Sequence, residues 1–491
     1  MEVPRCMSTQ HPDNVLTPFF ADRSVMQGDA EIREAYYAYS HLGCTEQMWD
    51  CEGKEVDAFV VKKLLSRYEA FFRQRRLGED LFLTLRVPNP RVERAEAKVL
   101  LETLESIPRS CDAARLFYGE DGPPPVFEVI LPMTADSCEI NRVYHYYKDS
   151  IGARENQRCF DQSVKEWLGC FHPGVIHVIP LIEERAPLLA ADRIVDEYLQ
   201  KKDLPWQRVF LARSDPALNY GQISAVLLTK IALQRLWRLE KRLGRPLYPI
   251  LGTGSAPFRG NLRPSRVRDV LAEFPSVQTF TIQSAFKYDN SEEEARVGVS
   301  ELNQSARCAA DEVDEEGLIR IIDRVSERYS ESVATLAPIV NKLAGHVPPR
   351  RARKLHIGLF GYSRQLEGNS GVHLPRAIGF CASLYSLGLP PEILGLGALG
   401  KNELRAVRAA YRNVDLDMSD ALRYLNEGNV RRLPPVIREE VRAALDMFAC
   451  EIDEAHAELS HRIQEAASSD RGIVEAGELI VRAGALRGFL G

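Results

Sequence analysis

The chain has 491 residues, 45% of them hydrophobic and 27% charged, with a formal net charge of -6. Such a composition excludes a collagen-like, wholly disordered or disulfide-scaffold protein, and the acidic balance gives no basic footprint for nucleic acid. The length suits one large elaborated domain or a few ordinary ones.

Of the 63 basic residues, 49 are Arg and 14 are Lys. Arg keeps its charge in any site, and its planar fork matches carboxylate and phosphate. As a total the excess reads as a composition bias; the useful question is which few Arg serve a site.

In chain order, the first segment (MEVPRCMSTQHPDN) lacks the apolar core of a signal peptide. No apolar run approaches the roughly 18 residues of a membrane span, so a cytoplasmic protein is expected. The ten Cys form no CxxC pair and read as reduced core residues.

Short apolar runs then recur. They are Leu81–Val87, Val126–Leu131, Val175–Ile182, Arg208–Ala212, Leu247–Gly252, Val277–Gln283 and Leu355–Gly361, with Cys44–Asp50 as a possible eighth. Between them lie stretches with apolar residues at spacings of three and four, as in ISAVLLTKIALQRLWRLEKRL, which is helical periodicity. Strands alternating with helices predict a parallel sheet, and near-continuous apolar strands predict one buried on both faces. Seven or eight units predict an α/β fold of the TIM-like (β/α)8 barrel type, elaborated with many additional helices. The expected organisation is a single domain over 1–491, with the barrel region near 40–400 and a helical part over 401–491. Two stretches break the rhythm. Asp289–Gly317 is acidic and weakly patterned, and reads as a solvated insertion. His346–Lys354 is a connector rich in Pro and Arg.

In such barrels chemistry collects at the C-terminal strand ends. Those ends carry Arg86, then Thr134 and Asp136, then Glu183 and Glu184, then Ser214 and Asp215, then a Gly-rich loop with Arg259, then Gln283. Glu183 and Asp215 follow consecutive strands and could share a hard cation, which takes oxygen ligands. Asp215 reads equally as a helix N-cap before Pro216, and Glu183 as a surface carboxylate. The loop GTGSAPFRGN fits neither a dinucleotide-binding nor a P-loop pattern. It reads as a flexible loop delivering one Arg, or as an ordinary βα loop with a surface Arg. In Ser363–Leu387, Pro375 fits the first helical position and Gly388 the C′ cap. Arg376 would then sit in the first turn, against the helix dipole, as for an anion or a salt bridge. His11 is a titratable candidate. Together these predict a doubly or triply anionic small substrate carrying phosphate and carboxylate. They leave the reaction open.

Several segments together resemble one family along most of the chain: phosphoenolpyruvate carboxylase, in its short archaeal-type branch. The segments are STQHPDN, EQMWDCEGKEVD, LTLRVPNP, FEVILPMT, ARSDPALNYG, GTGSAPFRGNL, QSAFKYD, GYSR and LPRAIGFCASLYSLGLPPEILG. The resemblance implies a carboxy-lyase joining phosphoenolpyruvate and bicarbonate into oxaloacetate and phosphate, through carboxyphosphate and a metal-stabilised enolate. It implies Mg2+ or Mn2+, no biotin, and a homotetramer without nucleic-acid or membrane partners. It implies Glu183 and Asp215 as metal ligands, and His11 with Arg86, Arg259 and Arg376 as catalytic and substrate-binding residues. Gln283 and Lys287 fall in a block beside the active site and are expected to contact substrate. The sequence departs from the longer family form at Leu251 and Thr253, where that form has His and Arg, and at Leu218, where it has Lys. Lys54 and Arg364 are possible substitutes. The alternatives are another enzyme of the pyruvate and phosphoenolpyruvate barrels, or a non-catalytic barrel that only binds ligand.

Overall fold

Eight short parallel strands close into a barrel in the computed structural model, which describes residues 2–51, 57–94, 97–119, 122–352, 364–365, 371–468 and 473–491. The strands are β1 (Cys6–Ser8), β2 (Glu46–Asp50), β3 (Phe82–Arg86), β4 (Glu128–Leu131), β5 (His177–Ile182), β6 (Gln207–Ala212), β7 (Leu247–Gly252) and β8 (Thr279–Ile282). Chain neighbours are barrel neighbours, and β8 pairs back to β1 through Thr281 and Met7. Two expectations shift. The barrel strands lie between Cys6 and Ile282 rather than within 40–400, and the remaining strand is β1. Three residues, CMS, are too few to show a period; pairing with β8 and β2 is what makes them a strand. The expected strand at Leu355–Gly361 lies outside the described residues.

The strands are not apolar throughout. Successive side chains point to opposite faces, and the inward set stacks in layers as barrel interiors do. At the base, Arg208 on β6 meets Glu46 on β2, Glu128 on β4 and Thr279 on β8, with no exposed surface on the guanidinium. One step up, Met48, Ile130, Phe210 and Ile250 belong to an apolar cluster that also holds Met7, Ile179, Leu181 and Ala212. Two residues on from Met48, Leu181 and Ala212 come Asp50, Glu183 and Ser214, at the C-terminal mouth. The strand period therefore places ions at the base, a dry middle, and polar groups at the top.

The outer face is clothed by helices whose apolar residues follow the expected spacing. Glu315–Ala344 buries Leu318, Ile321, Ile322, Val325, Tyr329, Val333, Leu336, Val340 and Leu343 along one stripe. The acidic stretch is more ordered than a solvated insertion. Glu292–Gln304 is a helix with a capping box, in which Ser291 and Glu294 each accept the other's backbone N–H. That Ser-x-x-Glu pattern was present in the sequence and satisfies two otherwise orphan donors. After Lys401 the described elements are all helical. No single described helix is long and apolar enough to cross a membrane.

The base layer makes a strong demand on Arg208. Arg208→Met leaves two buried carboxylates unanswered and should cost about 3–5 kcal/mol in denaturant unfolding. Adding Glu46→Gln and Glu128→Gln should recover much of that loss. A cost below about 1 kcal/mol for Arg208→Met would mean the ion layer does not hold the barrel.

Candidate active site

A cavity of about 380 Å³ opens at the barrel mouth, and His11, Arg86, Glu183, Asp215, Arg259, Gln283 and Arg376 all line it. Seven residues drawn from the whole length of the chain thus share one surface. Its floor is the apolar layer, through Met48, Leu181, Phe210 and Ala212.

Arg86 ends β3 directly opposite Asp50 on β2. The pair is bidentate: Nε donates to one carboxylate oxygen at 3.0 Å and Nη2 to the other at 2.8 Å. Gln10 Oε1 accepts the Asp50 backbone N–H at 2.9 Å. Fork-to-fork pairing fixes direction as well as charge, so Asp50 aims Arg86. Sequence reasoning passed over Asp50, although the strand-end rule would have flagged it as the last residue of the Cys44–Asp50 run.

His11 is oriented by its own motif. Its Nδ1 lies 2.9 Å from Thr9 Oγ1, and Gln10 between them also donates to Glu34 at 3.3 Å. Lys287 corrects an expectation. It does not line the cavity; its fully buried ammonium donates to Ser8 Oγ, Thr9 O and Glu34 Oε1. Lys287 therefore braces the histidine segment from outside the cavity lining. Burial alone would raise the Glu34 carboxyl, yet Arg351 and Lys287 hold it down at about 2.

The Gly-rich loop is a fixed element, not a free one. Every residue from 253 to 262 is buried. Arg259 Nε donates to Ser214 Oγ at 3.0 Å, Nη1 to Gly491 O at 2.9 Å and Asp13 at 3.4 Å, and Nη2 to Gln283 Oε1 at 2.5 Å. Gly254 makes room for this: a Cβ there would sit 2.9 Å from Gln283 Oε1 and 3.1 Å from Arg259 Cζ. Asn261 donates to Asp417 and Asp420, and the Phe258 backbone N–H donates to Glu392. The loop is thus bonded at both its ends and packed against the C-terminal helices. Burial raises the Asp13 carboxyl, and Arg259 offsets part of that shift. At the family-specific departures, Thr253 bonds Thr281 through its N–H and its hydroxyl, and Leu218 is buried in the core. Lys54 lies outside the described residues, as does the side chain of Arg364.

Glu183 directly follows β5 and is 5% exposed. Asp215 lies in the first turn of Ser214–Tyr220, where Arg213 holds the N-cap position. The helix-cap reading of Asp215 therefore gives way to a carboxylate facing the cavity. Among the described residues no group of three or more His, Cys, Asp or Glu could enclose a metal. Two carboxylates that follow adjacent strands fit a hard cation that takes its other ligands from substrate and water, which is how Mg2+ is usually held. Arg376 holds the N-cap of Ala377–Ser386, so Pro375 stands just before the helix rather than inside it. Gly388 follows the C-cap at φ 70, as expected. The connector His346–Lys354 was read only as a linker, yet Val347, Pro348, Pro349, Arg350 and Arg351 form one wall.

The loop clamps give the site a pH dependence. Burial pushes Glu392 up to about 7 and Asp417 up to about 7. A carboxyl that binds its proton more tightly when folded stabilises fully below its unfolded pKa, and the stability goes as pH rises through the folded value. Glu392→Gln should therefore gain on the wild type between pH 5 and pH 8, by on the order of 2–3 kcal/mol. Urea unfolding at the two pH values reads this, and parallel curves would mean Glu392 does not titrate with folding.

A sequence model of phosphoenolpyruvate carboxylase matches residues 3–491. Relatives named phosphoenolpyruvate carboxylase align over their full length and over all of this chain. The one from Methanospirillum hungatei is 53% identical over 494 residues. That from Methanothermobacter thermautotrophicus is 53% identical over 493 residues, and that from Pyrococcus abyssi 48% over 490. With the barrel, the two carboxylates and the arginines already in place at one mouth, these matches settle the family: the chain belongs to the phosphoenolpyruvate carboxylases.

Proposed function

We propose that the protein carboxylates phosphoenolpyruvate with bicarbonate, releasing oxaloacetate and phosphate, as a cytoplasmic, biotin-independent homotetramer. The observation that carries this reading is the convergence of His11, Arg86, Arg259 and Arg376 with Glu183 and Asp215 around one cavity. Mg2+ or Mn2+ on Glu183 and Asp215 would supply charge stabilisation where negative charge develops on substrate oxygen.

The chain's own residues do the rest. Bicarbonate oxygen attacks the phosphorus, the bond from phosphorus to the enol oxygen breaks, and carboxyphosphate and the pyruvate enolate remain. Arg86, aimed by Asp50, and Arg259, held by Gln283 and Ser214, keep the phosphoryl group and carboxylate in line. His11 takes the carboxyphosphate proton, and carbon dioxide and phosphate separate. The enolate carbon then bonds to carbon dioxide. Water is the competitor here, since a proton delivered to the enolate gives pyruvate instead. The apolar floor of Met48, Leu181 and Phe210 keeps that proton source away.

Purified protein with phosphoenolpyruvate, Mg2+ and bicarbonate should form oxaloacetate in a malate dehydrogenase-coupled assay; no oxaloacetate would sink the reading. Asp215→Asn should raise the Mg2+ needed for half-maximal rate at least about tenfold, and unchanged metal dependence would remove Asp215 from the site. His11→Asn should lower kcat by about 10²–10⁴ while phosphoenolpyruvate still protects against thermal unfolding.

A further inference from the structure

Arg350 of the connector carries a charge that no carboxylate among the described residues ion-pairs with. Arg350 lies in the cavity wall and is 7% exposed. Its backbone is held on both sides. Pro348 and Pro349 restrict φ just before it, and its carbonyl accepts the Met26 N–H at 2.9 Å while Ala352 N–H donates to Met26 O at 3.0 Å. Its guanidinium makes one hydrogen bond, from Nε to Asn14 O at 3.2 Å. Among the described residues no acceptor is paired with its terminal nitrogens, and no carboxylate ion-pairs with it.

The adjacent Arg351 shows what a structural arginine looks like here. Its guanidinium, almost fully buried, pairs with Glu31 and Glu34. The acid facing Arg350 is Asp289, which already accepts the Val15 and Leu16 N–H groups, and burial pushes its carboxyl up to about 8. Burial lowers Arg350 below the ordinary arginine value, and Asp289 offsets part of that shift without forming an ion pair with it. A guanidinium has five donors in a fixed fork that suits an oxyanion, and burying its charge without an anion is costly.

We propose that Arg350 is a substrate-contacting residue, its terminal nitrogens binding an oxyanion of the reactants on the His11 side of the cavity. Asn14, its backbone partner, is three residues along from His11, which places this charge beside the segment that handles bicarbonate. The oxyanion is a carboxylate-like group, from bicarbonate or from phosphoenolpyruvate. The proposal rests on the carboxylase reading above.

The test compares wild type with Arg350→Gln and Arg350→Lys. KM is measured for each substrate with the other saturating. Thermal protection by phosphoenolpyruvate is measured with Mg2+ and no bicarbonate. Arg350→Gln should raise one KM about 10- to 100-fold, and Arg350→Lys should recover part of it, with both unfolding midpoints near the wild type. A rise in bicarbonate KM alone assigns the oxyanion to bicarbonate. A rise in phosphoenolpyruvate KM with weaker thermal protection assigns it to that substrate. Unchanged KM values in both variants overturn the proposal, as does equal loss of activity in both with a lowered midpoint. If the wild type forms no oxaloacetate, the functional reading fails by itself, while thermal protection in wild type and Arg350→Gln still decides whether Arg350 meets an anion.

Discussion

A guanidinium shut away from water, that of Arg208, sets the register of the barrel. Its partners Glu46, Glu128 and Thr279 stand on β2, β4 and β8, so with β6 the even strands each give one residue to a single layer. Four side chains from alternate strands are how such interiors stack, but here the layer is ionic. A one-residue slip of any of these strands would turn its charge outward and strand the others in a dry interior. The constraint reaches the mouth because strand spacing is rigid. Asp50 is four residues beyond Glu46, so fixing Glu46 at the base fixes the carboxylate that aims Arg86 at the top.

The segment after β1 ties separate parts of the mouth together. Thr9 orients His11, Gln10 reaches Asp50 and Glu34, and Asp13 accepts the backbone N–H of Ala285 and the Arg259 side chain. Its carbonyl accepts the Leu490 N–H. Histidine, arginine loop and C-terminal residues are thereby tied to one short stretch. A loop so bound presents Arg259 from a set position, which suits a reaction whose barrier falls mainly through alignment and fixed charge.

Most of the barrel was legible in the sequence because buried parallel strands leave apolar runs, and because the strand-end rule needs only their last residues. Glu183, Asp215, Arg86, Arg259 and Gln283 followed from that rule. What was not legible depended on pairing at a distance. β1 has no pattern of its own and exists through β8 and β2. Lys287 stands in the right block, but only its contact with Glu34, 253 positions away, reveals that it braces the histidine segment. The three glycines of the Arg259 loop read as freedom in the sequence, which does not show how closely the loop packs. Here Gly254 instead admits the close approach of Gln283 to Arg259.

The abundance of arginine therefore says little, and the compensation of each one says a great deal. Arg208 and Arg351 each pair with two carboxylates, and their charge is spent inside the protein. Arg86 and Arg259 are intermediate: each is gripped by protein acceptors yet still faces the cavity, which is the arrangement for a charge that must not wander. Arg350 differs from both groups: it is buried on a stiff backbone and, among the described residues, hydrogen-bonds one carbonyl and pairs with no carboxylate. The proposed reaction presents one phosphoryl group and two carboxylate-type groups, and the cations left to meet them are those that still face the cavity, Arg86, Arg259 and Arg350 among them.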